Sequence, residues 1–450
     1  MADNPADRRI TEVFSGFELQ RTPPQQRIRP ENAVCWLDGI DMTGHQQRIL
    51  FDNDLLSRHL MFLGGIGTGK TKAIMTLASQ IKKRMTSNDV MIVFDSKGDF
   101  VKELFSRGDA IISNDGQAVG PGGQEDYWNI FNEIDRGSHL KDNVFEIANA
   151  IFHEKKEKTT QVFFPNAAKD LFAAILLHCC RDNGIKYTNQ DLCSFLNSET
   201  VQGYLDILAC HNDLTAMSSY IDGTGEQSKG VLSEIQTASR EMFIGNFEKA
   251  GTLSLRQLVR NKGGRAVFIE YDLGIGATLA PIYSLMFDLA IKEALCRTKS
   301  EGNVYFICDE FKLVPNLRHI DDAVNFGRSL GVKFMIGIQN VEQIYEAYSG
   351  KAGGNGRLAK SILSGFSTNI CFRLNDFESR DYIKKLYGDN RKKEVYSSTV
   401  HSRGLIENIR DGRVVEDSDI LSLPIGRAII GLPGFEPFRF QINDYKLTRS

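Results

Sequence analysis

The residues best suited to chemistry lie in one short stretch, His59-Leu-Met-Phe-Leu-Gly64-Gly65-Ile66-Gly67-Thr68-Gly69-Lys70-Thr71. From Gly64 to Thr71 it fits G-x-x-x-x-G-K-[ST]. Glycines let a backbone turn successive N–H groups inward around a triphosphate, and a helix start behind them adds partial positive charge. On this reading Gly64, Gly65, Ile66, Gly67, Thr68, Gly69 and Lys70 cradle the phosphates. Lys70 reaches the outer ones, and Thr71 holds Mg²⁺ through its hydroxyl. The loop implies a nucleoside triphosphate and Mg²⁺, and no adenine-reading motif is recognisable.

A second centre follows far downstream. The apolar run Val304-Tyr-Phe-Ile307-Cys308 ends in Asp309-Glu310. After a phosphate loop, such a strand is the expected other half of a hydrolytic site. Asp309 would hold the Mg²⁺ shell, and Glu310 would polarise the attacking water as general base. Phosphoryl transfer also needs positive charge on the γ-phosphate, commonly an arginine from a neighbouring subunit. Arg328, in Phe326-Gly-Arg328-Ser-Leu-Gly331, is the leading candidate. Gln339 ends the next strand, where it can touch the γ-phosphate. Without further context these two read equally well as a surface arginine and a strand-end glutamine.

These residues need a scaffold. Leu60 to Leu63 reads as a buried strand, and Ile74, Leu77, Ala78, Ile81 and Met85 share one helical face. Val90 to Asp95 is a second buried strand, ending in Asp95-Ser-Lys97-Gly98-Asp99. Asp109 to Ser113, Arg265 to Tyr271, Gly331 to Gln339 and Ser367 to Leu374 read as further strands, with helical patterns between them. Strands alternating with helices imply an α/β fold with a mainly parallel sheet. Between about 141 and 250 strand patterns vanish and helical spacing takes over, as in an all-α insertion. Leu171, Ala174, Ile175, His178 and Cys179 share one face there, and His178 reads as a core histidine rather than a site residue. That stretch carries 10 Lys and Arg against 15 Asp and Glu between residues 141 and 249, a poor surface for a phosphate backbone. Residues 1–32 read as a flexible arm or an extended wrap, 33–140 and 251–450 as the two parts of the nucleotide-binding domain. Asp389 to Ser418 reads as irregular, Gly120–Gly123 as a loop and Gly350–Gly356 as a mobile one.

The bulk numbers restrict the class. The 450 residues suffice for two or three domains. A formal net charge of −3 gives no general attraction to nucleic acid or anionic membrane. No apolar run approaches a membrane span, and the start of the chain lacks signal-peptide features. Eight cysteines without CxxC pairing read as reduced thiols and no structural zinc. The expected location is cytoplasmic, or peripheral at the inner face of a membrane.

The run Cys308-Asp-Glu-Phe … Gly327-Arg-Ser-Leu-Gly … Ile336-Gly-Ile-Gln339-Asn … Arg373-Leu resembles the TraG/TraD type of coupling ATPase, which serves conjugation and type IV secretion within the FtsK/HerA motor group. Phe94-Asp-Ser-Lys-Gly-Asp99 is similar to that family's acidic-lysine-glycine motif, Tyr127-Trp-Asn129-Ile to its aromatic-asparagine motif, and Leu423-Pro-Ile-Gly426-Arg to its ending. The resemblance spans roughly residues 45–445. It implies a RecA-like P-loop motor with an all-α domain, ATP as its nucleotide, assembly into hexameric rings, and ATP-driven delivery of DNA or protein. Lys70, Thr71, Asp309, Glu310, Arg328 and Gln339 match its phosphate, metal, base, finger and sensor positions. DNA, a relaxase and secretion-channel components are the implied partners. Family members usually carry an N-terminal membrane anchor and this sequence shows none, so the expectation is membrane contact only through a partner, or a soluble relative. Two other functions compete: a nucleotide-switched receptor for secreted protein cargo, and a HerA-like motor paired with a nuclease.

Overall fold

The computed structural model describes residues 10–115, 126–182, 184–223, 225–296, 302–314, 316–348, 356–397 and 405–444. Its strands are β1 (Ile10–Ser15), β2 (Cys35–Asp41), β3 (Gln46–Phe51), β4 (Leu60–Leu63), β5 (Val90–Asp95), β6 (Ala110–Ile112), β7 (Arg265–Glu270), β8 (Val304–Cys308), β9 (Val332–Ile338), β10 (Thr368–Cys371), β11 (Asp389–Ser397), β12 (Leu405–Arg413), β13 (Arg427–Gly431) and β14 (Phe438–Ile442). The loops read at Gly120–Gly123 and Gly350–Asn355 lie outside the described residues. The chain forms two compact units, one of Met1–Arg84, Phe334–Ala347 and Gly356–Ser450, the other of Met85–Lys333 and Tyr348–Asn355.

In the first unit β4 is central. It pairs in parallel with β10 on one side and with β9 on the other. All four of its residues are buried, which is why it reads as a continuous apolar run rather than an alternating one. Beyond β10 the pairing turns antiparallel through β13, β14, β2 and β3. In β2 burial alternates strictly. The helix Lys70–Arg84 lies against this strand: its Gln80 exchanges two hydrogen bonds with the Trp36 backbone, and the Arg84 guanidinium lies 4.7 Å over the Trp36 ring.

From Ile10 onward the N-terminal segment is extended along the rest of the chain: β1 pairs antiparallel with β11, and Gln20 N–H donates to the Pro437 carbonyl. One sequence expectation fails here. The stretch expected to be irregular, Asp389 to Ser418, holds the antiparallel pair β11–β12. Cross-strand ion pairs hold that ribbon, Arg391–Asp411 and Lys393–Glu407 among them. A ribbon with charges on its outer face has no apolar alternation to reveal it.

In the second unit β8, β5, β7 and β6 are parallel neighbours. The same unit contains the helices Leu140–Lys158, Phe163–Arg181, Asn189–Ser198, Val201–Ala209, Glu226–Met242 and Leu255–Asn261. The apolar run from Leu171 fills their core; Leu171, Phe172, Ala174, Ile175 and Leu176 are buried. His178 ends that stripe half-buried, its Nδ1 3.1 Å from Nε2 of His211. It is a paired histidine of the helix packing, as its place in the stripe suggested.

Candidate active site

In the first unit the loop after β4 is tied down from three directions. Gly64 N–H donates to the Ile338 carbonyl at 3.3 Å, and Gly65 N–H to the Arg373 carbonyl at 2.9 Å. The Thr68 carbonyl accepts from Gly426 N–H at 3.0 Å. Within the loop the Thr68 hydroxyl donates to the Gly65 carbonyl at 2.8 Å. Gly67 and Gly69 take φ of +72° and +113°, values that favour glycine. A Cβ on Gly64 would stand 2.8 Å from both Phe372 Cβ and Thr68 Oγ1, so the closeness of the loop to its neighbours also demands glycine. Ile66 points outward, 83% exposed.

Lys70 opens the helix Lys70–Arg84 and is buried. Its Nζ donates to the Gly64 carbonyl at 2.7 Å. The ammonium therefore lies inside the loop, across its mouth, and Thr71 follows on the first helical turn. The geometry suits a polyphosphate: glycine-shaped turns, a helix start and one buried cation. Thr71 supplies a hydroxyl oxygen of the kind Mg²⁺ takes. Gln339 directly follows β9. Leu63 and Ile338 are register partners, so the start of the loop and Gln339 leave adjacent strands side by side.

The second unit holds the acids. Asp309 follows β8, whose Cys308 is the register partner of Phe94, and Asp95 pairs in register with Glu270. Asp309, Asp95 and Glu270 thus stand at the carboxyl ends of three neighbouring parallel strands. Asp309 is buried. Glu310 begins the turn Phe311–Leu313, with Lys312 Nζ 3.8 Å from its Oε1. Asp95 accepts from Lys97 N–H at 3.2 Å and from Val101 N–H at 2.9 Å, which holds the Ser96–Gly98 turn against the next helix. Burial pushes its carboxyl above the usual carboxylate range. Glu270 is raised to about 7, chiefly by burial and then by the Asp95 charge.

Arg328 is exposed on the helical turn Gly327–Leu330. Two glycines shape that turn. A Cβ on Gly327 would lie 2.8 Å from Val332 Cβ, and one on Gly331, at φ +79°, would lie 2.3 Å from the Gly302 carbonyl oxygen. Of the residues read from the sequence, Gly64 to Thr71 and Gln339 therefore belong to the first unit, and Asp309, Glu310 and Arg328 to the second. Sequence reasoning gave no role to Gly426, to the Arg373 carbonyl or to Glu270. The first two act through backbone groups, which leave no side-chain signature. Glu270 carried one sign, an acid ending a buried strand.

The comparisons with known proteins bear on the fold and the family. The coupling protein TraD of Escherichia coli (strain K12) is 24% identical over 395 residues, which is 83% of this chain and 51% of TraD. The chain thus spans about half the length of that relative. The plasmid coupling protein TrwB in complex with the non-hydrolysable ATP analogue ADPNP superposes with a TM-score of 0.67 at 18% identity, over 89% of each chain. TrwB in complex with ADP and Mg²⁺ superposes with a TM-score of 0.61 at 18% identity, again over 89% of each. These likenesses establish the fold as α/β, RecA-like and of the P-loop type, with its inserted helices. A family model, described as the type IV secretion-system coupling protein DNA-binding domain, matches residues 47–440, a span that contains the loop, the acids, Arg328 and Gln339, and to that family the chain belongs.

Proposed function

We propose that the chain is an ATP-hydrolysing motor of the coupling-protein type, which delivers or translocates DNA or nucleoprotein. The observation that carries the reading is the loop from Gly64 to Thr71, closed by Lys70 and braced by Ile338, Arg373 and Gly426. The TrwB complexes with ADPNP and with ADP and Mg²⁺ support ATP and Mg²⁺ as its ligands. The family's description supports DNA as cargo or track.

In this reading the loop amides and Lys70 bind the β- and γ-phosphates, while Thr71 and Asp309 hold the metal. Bound Mg²⁺ would neutralise charge on the phosphate oxygens. Glu310 takes a proton from the attacking water. Gln339, beside the loop start, contacts the γ-phosphate and registers its loss. Arg328 serves the site of a neighbouring subunit in a homo-oligomeric ring, a hexamer by family analogy. A relaxase or a channel component is the partner class for the cargo. Among the described residues no helix is long and apolar enough to cross a membrane.

The test is ATP hydrolysis by the purified chain with and without DNA, at fixed salt. Turnover that rises on adding DNA is the expected result. Hydrolysis indifferent to every DNA form would overturn the motor reading, and absent hydrolysis would overturn the enzyme.

A further inference from the structure

The motif Tyr127-Trp128-Asn129-Ile130 has no part in the nucleotide chemistry, yet it is deeply engaged. Asn129 Nδ2 donates to the Tyr187 carbonyl at 3.2 Å and to the Gly251 carbonyl at 3.0 Å. Asn189 Nδ2 donates to the Trp128 and Phe247 carbonyls, both at 2.8 Å. Trp128 Nε1 donates to Glu133 at 2.9 Å, and the same buried carboxylate accepts from Leu255 N–H and Arg256 N–H. Three segments far apart in sequence are thereby stitched into one rigid junction. Buried polar groups satisfied to this extent fix a unique arrangement.

The outer face of that junction is a cleft of about 560 Å³. Its other charges are spoken for: Arg256 pairs with Glu293, Arg260 reaches Glu293 at 2.9 Å and the lining Asp135 at 3.9 Å, and the lining Glu133 is held by the Leu255 and Arg256 amides. Its outer cations are different. Arg136 and Lys186 line the cleft, are exposed, and make no ion pair or hydrogen bond among the described residues. Asn132 and Gln257 add amide groups, and the half-buried Tyr187 ring stands 5.9 Å from that of Phe131. The adjoining stretch from 141 to 249 is acidic overall, so a polyanion approaching this unit is repelled by most of that surface and attracted here.

We propose that this cleft binds the phosphates of a polynucleotide, with Arg136 and Lys186 as the charge contacts and Tyr187 as a face for a base. Unpaired cations beside an aromatic ring are what a single strand engages. An acidic peptide would use the cations and leave the ring and amides without a role. The inference rests on the DNA reading above and assigns it a site.

The experiment is fluorescence anisotropy of the full chain with single-stranded and duplex oligonucleotides over a salt series. It compares wild type, Arg136→Glu/Lys186→Glu, and Lys229→Glu, an exposed charge change elsewhere in the same unit. The double variant is expected to lose at least about tenfold in affinity near 0.1 M salt, and its salt slope to shrink by about 1.4 for single strands or 1.8 for duplex. Lys229→Glu is expected to change affinity less than about twofold, as one exposed charge outside the site. The milder Arg136→Gln/Lys186→Gln pair, with unchanged thermal unfolding, guards against misfolding. DNA binding by wild type with unchanged affinity and slope in both double variants would overturn the cleft and leave the DNA reading intact. Absence of DNA binding by wild type would overturn both. Inorganic phosphate competing as well as the oligonucleotide's own phosphates, at matched ionic strength, would reduce the cleft to a free-phosphate site, and preferred binding of polyglutamate would make it a peptide site; either overturns the proposal.

Discussion

Lys70 Nζ donates to the carbonyl oxygen of Gly64 at 2.7 Å, so the ammonium of the phosphate loop closes the loop on itself. A bound triphosphate would draw that ammonium onto its oxygens. Lys70→Ala removes a charged hydrogen-bond donor worth about 1.5–3 kcal/mol. Nucleotide affinity is expected to fall roughly tenfold to a hundredfold, measured by titration calorimetry with ATP and Mg²⁺. Unchanged affinity would remove Lys70 from the site.

Glu310→Gln keeps the size of the side chain and abolishes its basicity. Turnover is expected to fall about a hundred- to ten-thousand-fold while ATP binding persists, so that unhydrolysed ATP is recovered from the protein after rapid desalting. Normal turnover in this variant would mean that another group activates the water.

Arg328 is exposed on a turn that two glycines hold in shape. An arginine finger contributes about 10³–10⁵ in kcat, so Arg328→Ala alone is expected to be nearly inactive. Mixing it with the Lys70→Ala variant pairs an intact loop on one subunit with an intact arginine on the next. Partial recovery of ATPase rate in the mixture is the expected result. No recovery, with assembly preserved by light scattering, would argue against action between subunits.

Glu270 gives a dependence on pH. Its carboxyl is raised from an ordinary value of 4.5 to about 7 by burial beside Asp95. Between those values the folded chain keeps a proton that the unfolded chain has lost. The native state binds more protons there, so stability declines as pH rises from about 4.5 to 7 and stays reduced above, by up to about 3 kcal/mol. Glu270→Gln removes this penalty. The variant is expected to melt above wild type at pH 8 and near it at pH 4; the opposite order would show that the carboxylate is stabilised rather than strained.

Arg256 and Glu293 are both buried and 3.2 Å apart. Glu293→Ala leaves the Arg256 guanidinium desolvated without its carboxylate, a loss of about 3–5 kcal/mol. Urea unfolding followed by Trp128 fluorescence in a Trp36→Phe background should report it. A loss below about 1 kcal/mol, the range of exposed pairs, would mean that water reaches the pair.

The chemistry was more legible in the sequence than the frame around it. Gly64–Thr71 and Asp309–Glu310 announce themselves because glycine turns and strand-end acids are side-chain statements at fixed spacing. The parallel strands β4, β5 and β8 were equally plain, each a short apolar run buried on both faces. β11 and β12 were not, since their pairing rests on charges matched across strands. The brace that Gly426 provides was invisible for another reason: it is one backbone N–H meeting the Thr68 carbonyl across more than three hundred residues, and the φ of +78° that favours glycine there shows only in the folded chain. Lys186 was lost in the charge sum over residues 141–249, and Arg136 lies just before that stretch, so a sum by segment separates two cations that the fold places on one cleft.

The bracing of the loop also sets an order of events during synthesis. The carbonyls of Ile338 and Arg373 and the amide of Gly426 leave the ribosome hundreds of residues after Gly64 to Thr71. At about 5–20 residues per second the nascent loop waits on the order of tens of seconds to over a minute for its last support. Until then β4 lacks both of its neighbours, β9 and β10. The apolar run Leu60–Leu63 therefore stays without its sheet partners in the growing chain until β9 and β10 have been made.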